Sequence, residues 1–269
     1  MANITLDNVS FTYDSSGTVR EDSLVLKDIN LAINKGEFVC VIGSSGCGKS
    51  TLIRLLEGLN FPTLGKIMIN DKEVKGPGKD RCVVFQHYSL FRWFTAKENV
   101  AFGIKQNKKD LSRKEIEESA VDYLNKVGLE NYHDTYPFQM SGGQQQRVVI
   151  ARALAMDPDI LLMDEPFGAV DARTRSTLQD MLLQICENEQ KKRTVVFITH
   201  DFDEAIFLST RVIFMQPKKI RDEITVDFGS RRVRADIFRS DDFNRLRNQL
   251  MSYFYEDIGE KLDITGASL

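Results

Sequence analysis

One stretch of sequence decides the fold: Gly43-Ser44-Ser45-Gly46-Cys47-Gly48-Lys49-Ser50-Thr51. It matches the pattern G-x-x-x-x-G-K-[ST] in full, which is typical of a loop that binds phosphate groups. The apolar run from Phe38 to Ile42 precedes it and predicts a β-strand, whereas the run from Leu52 to Leu56 follows it and is compatible with a helix. Strand, glycine-rich loop and helix in this order are what a phosphate-binding loop (P-loop) requires. The sequence therefore predicts binding of a nucleoside triphosphate, and this context argues against a chance glycine loop.

The residue types of the loop suit a nucleotide. Its glycines allow the backbone to curl so that N–H groups point at one anion, and they remove side chains that would keep the phosphates away. The start of the following helix adds partial positive charge and N–H groups that have no partner inside the helix. Lys49 would reach the β- and γ-phosphates, and the Ser50 hydroxyl would bind Mg²⁺. We expect Thr51 to contact the α-phosphate.

Composition limits the class of protein. The chain has 269 residues, enough for one large domain, and its net charge of −3 gives no electrostatic reason to expect a nucleic-acid partner. We expect the basic run Arg231-Arg232-Val233-Arg234 to be solvated surface. The four cysteines lack zinc-like spacing, which is typical of a reducing compartment. The sequence shows neither a signal peptide nor an apolar run of membrane-spanning length, so we expect any membrane connection to pass through another subunit.

The segment before the loop predicts β structure. Ile4 and Leu6 alternate with polar residues, and the alternation resumes from Val9 in a shifted register, which predicts a β-bulge between them. Tyr13, at the end of this stretch, is a candidate platform on which an adenine ring could stack. A tyrosine that merely ends a strand fits the spacing equally well.

A polar residue follows another predicted strand. Cys82 to Phe85 predict a buried strand, and Gln86 comes directly after it. Ligands bind at such strand ends in open α/β folds. Gln86 could therefore place water or Mg²⁺ there, or it could simply cap the strand.

Residues 87–157 predict an inserted, mainly helical subdomain. Its first part, His87 to Phe94, is aromatic and irregular and contains the only tryptophan, Trp93. Such a cluster is either the packing of a small subdomain or a docking surface for a partner. Further along, Ser112 and Glu115 have the spacing of a capping box at the start of a helix.

A second candidate phosphate site is Met140-Ser141-Gly142-Gly143-Gln144. It directly precedes a helix predicted from about Gln145 to Met156, and N–H groups at a helix start can bind an anion. Taken alone, the stretch fits a plain helix cap better, in which Ser141 accepts a hydrogen bond from those N–H groups.

Two further strands end in side chains that can do chemistry. The apolar run from Ile160 ends in Asp164 and Glu165. Adjacent strand residues point to opposite faces, so one carboxylate could hold Mg²⁺ through water while the other takes a proton from the attacking water. An exposed acidic strand end is the alternative. His200 follows the strand-like run from Thr194 and could bond the γ-phosphate, although a lone histidine is more often a structural polar residue.

As a set, these stretches resemble the motifs of the ATP-binding cassette (ABC) ATPases, and the resemblance covers residues 3 to about 220. The matches are Walker A at 43–51, Walker B with the catalytic glutamate at 160–165, the signature at 140–144, the Q-loop at Gln86, the D-loop at 168–171 ending in Asp171, the A-loop at Tyr13 and the switch histidine at His200. Met140 and Val170 stand where the family usually has leucine, and both are apolar exchanges of similar size.

A narrower resemblance is to the ATPases of importers for nitrate, sulfonate, taurine and bicarbonate. It rests on three segments, residues 85–103, 200–208 and 231–236 with the helix that follows. Phe91-Arg92-Trp93 departs from the usual Leu-Pro-Trp of that group. This departure leaves the membrane partner, and so the solute, open.

The resemblance implies an α/β fold, in which a P-loop NTPase core carries an N-terminal antiparallel β subdomain and an inserted α-helical subdomain. It implies a single ATPase domain: residues 1–86 and 158–230 form the nucleotide-binding core, 87–157 the helical subdomain and 231–269 a C-terminal helical extension. It also implies the cofactors ATP and Mg²⁺. The implied catalytic residues are Glu165 on the attacking water, His200 on the γ-phosphate, Gln86 and Lys49. The implied Mg²⁺ ligands are Ser50, Gln86 and Asp164.

The resemblance further implies that two copies pack head to tail, so that ATP on the Walker A of one copy is closed over by the signature of the other, including Ser141, Gly142, Gly143 and Gln144, with Asp171 nearby. Transmembrane permease subunits would hold the chain at the cytoplasmic face of the membrane, and an extracytoplasmic solute-binding protein would act indirectly. An exporter ATPase and a soluble cassette protein acting on DNA or ribosomes are the alternatives. Proteins of the second kind carry a long coiled coil or two cassettes, and this chain shows neither, which argues against that alternative.

Overall fold

The computed structural model describes residues 2–14, 20–85, 89–107, 110–188, 192–229 and 232–264. They form two compact units, Met1–Gly76 with Val196–Leu269, and Pro77–Val195. The strands are β1 (Ala2–Thr12), β2 (Leu24–Asn34), β3 (Phe38–Gly43), β4 (Leu64–Ile69), β5 (Lys72–Glu73), β6 (Arg81–Val84), β7 (Ile160–Asp164), β8 (Thr194–Ile198), β9 (Arg211–Gln216) and β10 (Lys219–Thr225). The helices are α1 (Lys49–Glu57), α2 (Ala96–Asn107), α3 (Arg113–Lys126), α4 (Gly142–Ala155), α5 (Ala172–Asn188), α6 (Phe202–Leu208), α7 (Arg234–Ile237) and α8 (Asp241–Ile264).

The first unit contains an antiparallel sheet with the strand order β2-β1-β4-β5. The predicted bulge is confirmed. Leu6 pairs with Leu31 and Val9 pairs with Ile29, so β1 contains one residue more than β2 between these two pairs. Asn8, inside the bulge, has a φ of 50°, in the left-handed region. Because the bulge shifts the register, the apolar residues on both sides of it stay buried.

A second set of strands in the same unit has the order β10-β9-β3-β8. β9 runs antiparallel to β10 and parallel to β3. Every residue of β3 is buried, as its continuous apolar run predicts for a parallel strand covered on both faces. β8 begins in the second unit and ends in the first. β3 ends at Gly43, the first residue of the P-loop.

The second unit contains a parallel strand pair, β6 with β7, and a helical part. Apolar side chains of α2, α3 and α4 form one buried cluster, which includes Val100, Ile104, Ile116, Leu124, Val148 and Ala151. The predicted capping box opens α3, where Ser112 Oγ accepts from the Glu115 N–H at 3.3 Å and Glu115 Oε2 accepts from the Ser112 N–H at 2.7 Å. The fold class is therefore confirmed, since an antiparallel sheet, a parallel-strand part with its P-loop and a helical part are all present. The predicted domain boundaries stay a prediction.

Three local expectations were wrong. β6 ends at Val84, so Phe85 lies outside the strand and is 40% exposed. Cys82 is only half-buried, with its Sγ 3.5 Å from the Met156 sulfur. α4 begins at Gly142 rather than near Gln145, because the two glycines are compatible with the first turn of a capped helix. No helix among the described residues is long and apolar enough to cross a membrane.

Candidate nucleotide-binding site

The P-loop lies in the first unit, between the end of β3 at Gly43 and the start of α1 at Lys49. Three of its glycines have positive backbone angles, with φ of 152° at Gly43, 78° at Gly46 and 114° at Gly48. Such angles strain any residue with a Cβ atom, so glycine is required to turn the strand into the helix over so few residues. Gly58 ends α1 in the same way, and its N–H donates to the carbonyl of Leu55.

The surroundings of two loop glycines differ sharply. A Cβ atom built on Gly43 would lie 2.2 Å from the Met215 carbonyl oxygen and 2.9 Å from the Cys47 sulfur. A Cβ atom built on Gly46 would have nothing within 4 Å. Gly43 therefore packs against the sheet, whereas Gly46 borders open space.

Lys49 is buried and lies against its own loop. Its Nζ donates to the carbonyl of Gly43 at 2.7 Å and to that of Ser44 at 3.0 Å. Both acceptors are backbone carbonyls, so these two bonds fix the ammonium group without neutralising its charge. A phosphate group placed at the loop would meet a cation that is already oriented.

The start of α1 suits an anion as well. Gly48, which precedes the helix, has no side chain to cap it, and the first turn of α1 has no acidic residue. N–H groups at an uncapped helix start are directed at whatever lies in front of the loop. The hydroxyl-bearing residue Ser50 is exposed in this first turn, as a ligand for Mg²⁺ must be.

Tyr13 is joined to the P-loop helix. Its hydroxyl lies 3.1 Å from Thr51 Oγ1, and its ring meets Phe11 edge to face, with the centroids 4.8 Å apart. The side chain is 54% exposed, so one part of the ring is held while another part stays accessible. This placement supports the proposal of an adenine platform over the alternative of a tyrosine that only ends a strand, because its fixed end is bonded to the loop.

The signature stretch lies in the second unit and caps α4. Ser141 Oγ accepts from the Gln144 N–H at 3.3 Å, and Gln144 Oε1 accepts from the Ser141 N–H at 2.9 Å. The plain helix cap is thus present. It does not exclude an anion site, because a capping box occupies only part of the N–H groups of the first turn.

The signature contacts the first turn of α5, which follows the predicted D-loop. A Cβ atom on Gly143 would come within 2.4 Å of the Thr174 methyl carbon, which means that the two chain segments are in close contact. Thr174 Oγ1 in turn donates to Asp171 Oδ2 at 2.6 Å. This hydrogen bond is the main cause that lowers the pKa of Asp171 below its ordinary value, and hydrogen bonds from backbone N–H groups lower it further. Thr174 was missed by sequence reasoning, and only its three-residue spacing from Asp171 signals the contact.

The two carboxylates at the end of β7 differ in backbone conformation rather than in strand face. β7 ends at Asp164, and Glu165 follows it with a φ of 45°. The prediction that the two alternate across a strand was therefore wrong for Glu165. A left-handed angle at a non-glycine residue is strained by about 1–2 kcal/mol, and such strain is concentrated at functional sites. Because Glu165 is strained and Asp164 is an ordinary strand residue, their different backbones still support separate roles.

His200 follows β8 in the first unit and is exposed. The residue before it, Thr199, donates its N–H to the Val41 carbonyl at 3.3 Å. Val41 belongs to β3, the strand that enters the P-loop. His200 and the loop are therefore placed by neighbouring strands. The Gln86 prediction falls outside the described residues.

The residues of the first unit fit ATP, because they offer an oriented ammonium group, an uncapped helix start and a partly exposed aromatic ring. In the described ranges no group of three or more His, Cys, Asp or Glu side chains could hold a metal ion. Mg²⁺ commonly takes only one or two protein ligands and completes its shell with water and substrate phosphates. Ser50 is a suitable donor of that kind in this unit.

Comparison with known proteins agrees with this geometry. The family model described as ABC transporter matches residues 26–168. The nitrate import ATP-binding protein NrtD of Synechocystis sp. is 48% identical over 210 residues, 77% of each chain. The bicarbonate transport ATP-binding protein CmpD of Synechocystis sp. is 43% identical over 255 residues, 94% of this chain and 89% of that protein. A solved structure, the dimeric post-hydrolysis state of the ATP-binding cassette MJ0796 bound to ADP and Pi, has a TM-score of 0.71 at 33% identity and covers 84% of this chain and 100% of that one.

Proposed function

This chain belongs to the ABC transporter family and is an ATP hydrolase of that family, and we propose that it energises an importer for a small anion or a sulfonate-type solute. The observation that carries the proposal is its similarity to two relatives whose names specify nitrate import and bicarbonate transport. Each covers more than three quarters of the chain at over 40% identity. Their solutes are both small anions, and the proposal takes that class for this chain.

We propose that ATP is held by the P-loop, residues 43–51, with its adenine on Tyr13. Lys49 would bond the β- and γ-phosphates, because its ammonium group is already held at the loop. Ser50, Gln86 and Asp164 would hold Mg²⁺, which neutralises phosphate charge when it is bound. Glu165 would take a proton from the attacking water, and His200 would donate a hydrogen bond to the γ-phosphate. Positioning and charge neutralisation would supply most of the catalysis.

We also propose that two copies close head to tail over ATP. Two separate phosphate-type stretches, 43–51 and 140–144, lie in different compact units of the chain. A related cassette is dimeric in a structure that contains ADP and Pi. In the proposed dimer the signature, residues 140–144 of one copy, would contact nucleotide on the P-loop of the other.

The aromatic segment, defined as Leu90 to Phe94, is proposed to dock a permease subunit at the cytoplasmic face of the membrane. Trp93 is 71% exposed, so it is not an internal packing residue. Its ring is supported at one edge by Phe91, with the centroids 5.6 Å apart. The backbone below is held by buried Asn99, whose side chain accepts from the Phe91 N–H at 2.9 Å and donates to the Phe91 and Phe94 carbonyls. An exposed aromatic group on a fixed backbone is the kind of residue that dominates binding interfaces.

Reconstitution tests the function. The tagged chain would be purified from its own cells with any co-purifying membrane protein, identified by mass spectrometry, and placed in liposomes with the matching solute-binding protein. We expect uptake of nitrate, bicarbonate or taurine that requires ATP on the cytoplasmic side. Glu165→Gln in the same liposomes is the control for uptake without hydrolysis. ATP-driven efflux, or a complex without any permease, would contradict the importer proposal.

A further inference from the structure

The position of His200 depends on α6. Asp201, the next residue, donates its N–H to Thr199 Oγ1 at 3.0 Å, and its side chain caps α6 by accepting from the Glu204 N–H at 3.1 Å. His200 therefore lies between two residues that are bonded to each other, and one of them belongs to the helix start. α6 has only seven residues, too few to be stable without tertiary contacts. Whatever holds α6 also holds His200.

The first turn of α6 is held by α8. Arg247 Nε donates to Asp203 Oδ1 at 2.7 Å. About two helical turns further along α8, the ring of Phe254 meets that of Phe202 edge to face, with the centroids 5.7 Å apart. Phe202 and Asp203 are the first two residues of α6, so both contacts act at the end that His200 adjoins.

The last turn of α6 is held by Arg232, which precedes α7, and by Arg234, the first residue of α7. Arg232 Nη1 donates to the carbonyls of Phe207 at 2.6 Å and Ile206 at 3.4 Å. Carbonyls of the last turn have no partner inside a helix, and a cation there also opposes the negative end of the helix dipole. The Arg234 guanidinium lies 4.0 Å from the centre of the Phe207 ring. The expectation that this basic run is solvated surface was wrong for Arg232 and Arg234.

α8 is itself anchored to the sheet. Tyr253 Oη donates to Asp222 Oδ2 at 2.7 Å, and the Arg221 guanidinium lies 4.1 Å from the centre of the Tyr253 ring. Arg221 and Asp222 belong to β10. The contacts on α6 are therefore made from a fixed support.

From these contacts we propose that the segment Arg232–Phe254 is a clamp that positions His200 through α6, with Arg247 as the positioning residue at the first turn. The proposal rests on the role proposed above for His200. We expect the clamp to act on turnover rather than on nucleotide affinity, because none of the contacts named above involves a P-loop residue. Displacement of a catalytic group by about 1 Å can lower a rate on the order of a hundredfold, so a partial loss of support should be measurable.

The experiment compares two arginines of α8 in the full-length chain. Arg247→Ala removes the contact with Asp203. Arg245→Ala is the matched control, because among the described residues the ion pair of Arg245 lies within its own helix, with Asp242 at 3.0 Å, and both side chains are about two-thirds exposed. We would measure kcat and KM for MgATP with radiolabelled ATP, and thermal melting, for each change alone and combined with His200→Ala. Phe254→Leu is a second, independent change at the same turn of α6.

We expect Arg247→Ala to lower kcat about 3- to 10-fold, within the range of lost positioning, while KM stays unchanged. Arg245→Ala should match the parent. In the His200→Ala background, Arg247→Ala and Phe254→Leu should cause no further loss, because the group they position is absent. A loss of the same factor in both backgrounds, or an equal loss from Arg245→Ala, would overturn the clamp. Parental kcat in His200→Ala would refute the role of His200 and the clamp with it, whereas failure of the importer proposal would leave this assay unaffected.

Discussion

Replacement by alanine should mainly lower the stability of the chain at Gly43 and mainly weaken ATP binding at Gly46. A methyl group on Gly43 would lie 2.2 Å from the Met215 carbonyl oxygen, whereas real Cβ atoms essentially never approach closer than 3.0 Å. The relief needed is therefore about 0.8 Å. Met215 is paired with Gly43 in the β3–β9 ladder, so the movement must be taken up by backbone rather than by a flexible side chain.

The expected free energies of unfolding follow from these contacts. Alanine at either position has a positive φ, which costs about 1–2 kcal/mol and largely cancels when the two variants are compared. Gly43→Ala adds overpacking of about 1–3 kcal/mol, and Gly46→Ala adds none because its methyl group meets open space. At about 2–4 °C per kcal/mol for a domain of this size, Gly43→Ala should melt about 2–12 °C below Gly46→Ala.

Nucleotide affinity should show the reverse order. The open space beside Gly46 is where the phosphates are proposed to lie, so its methyl group should weaken binding of a fluorescent ATP analogue at least about tenfold. The assays are calorimetric melting without nucleotide, at one fixed scan rate, and titration of the folded variants. The reasoning would be refuted if Gly46→Ala melted as low as Gly43→Ala, or if Gly46→Ala bound the analogue as tightly as the parent.

Three further predictions concern the proposed chemistry and partners. Glu165→Gln should abolish ATP turnover and keep ATP bound, because the Mg²⁺ side is unchanged; turnover within a few-fold of the parent, measured as phosphate release, would remove Glu165 from the role of base. Ser141→Arg should leave ATP binding nearly intact and prevent dimer closure. A mixture with Lys49→Ala chains should restore one composite site per dimer, which size-exclusion chromatography with ATP would show. Absence of any mixed dimer while the parent dimerises would contradict the head-to-tail arrangement. Trp93→Ala should change stability by less than about 1 kcal/mol, because the side chain is 71% exposed, yet abolish co-purification with the permease; a large fall in melting temperature with the complex retained would argue against docking.

The parts of the fold set by local pattern were predictable. The strand β3 followed from its uninterrupted apolar run, and the bulge near Asn8 followed from a shift in alternation. The start of α3 followed from the spacing of Ser112 and Glu115, since a capping box uses only neighbouring residues. These features depend on interactions within a few residues or on burial alone.

The features that were missed depend on contacts between distant segments. The basic run before α7 has the composition of a surface, yet Arg232 donates to carbonyls of α6. Nothing in the run itself records which helix end lies next to it. At Glu165 the strand pattern continues in sequence while the backbone leaves it with a φ of 45°. Backbone strain of this kind is imposed by surrounding structure, so residue type alone does not reveal it.

The buried side chain of Asn99 fixes the backbone of the aromatic segment through bonds that do not depend on the side chains of that segment. Its amide holds the backbone at Phe91 and Phe94, and backbone groups are the same whatever residues lie between them. Exposed positions of this segment can therefore be exchanged in evolution without rebuilding the loop that presents them. Arg92 is one such exposed position. Divergence here would let one cassette scaffold serve different membrane partners by altering only the residues that they contact.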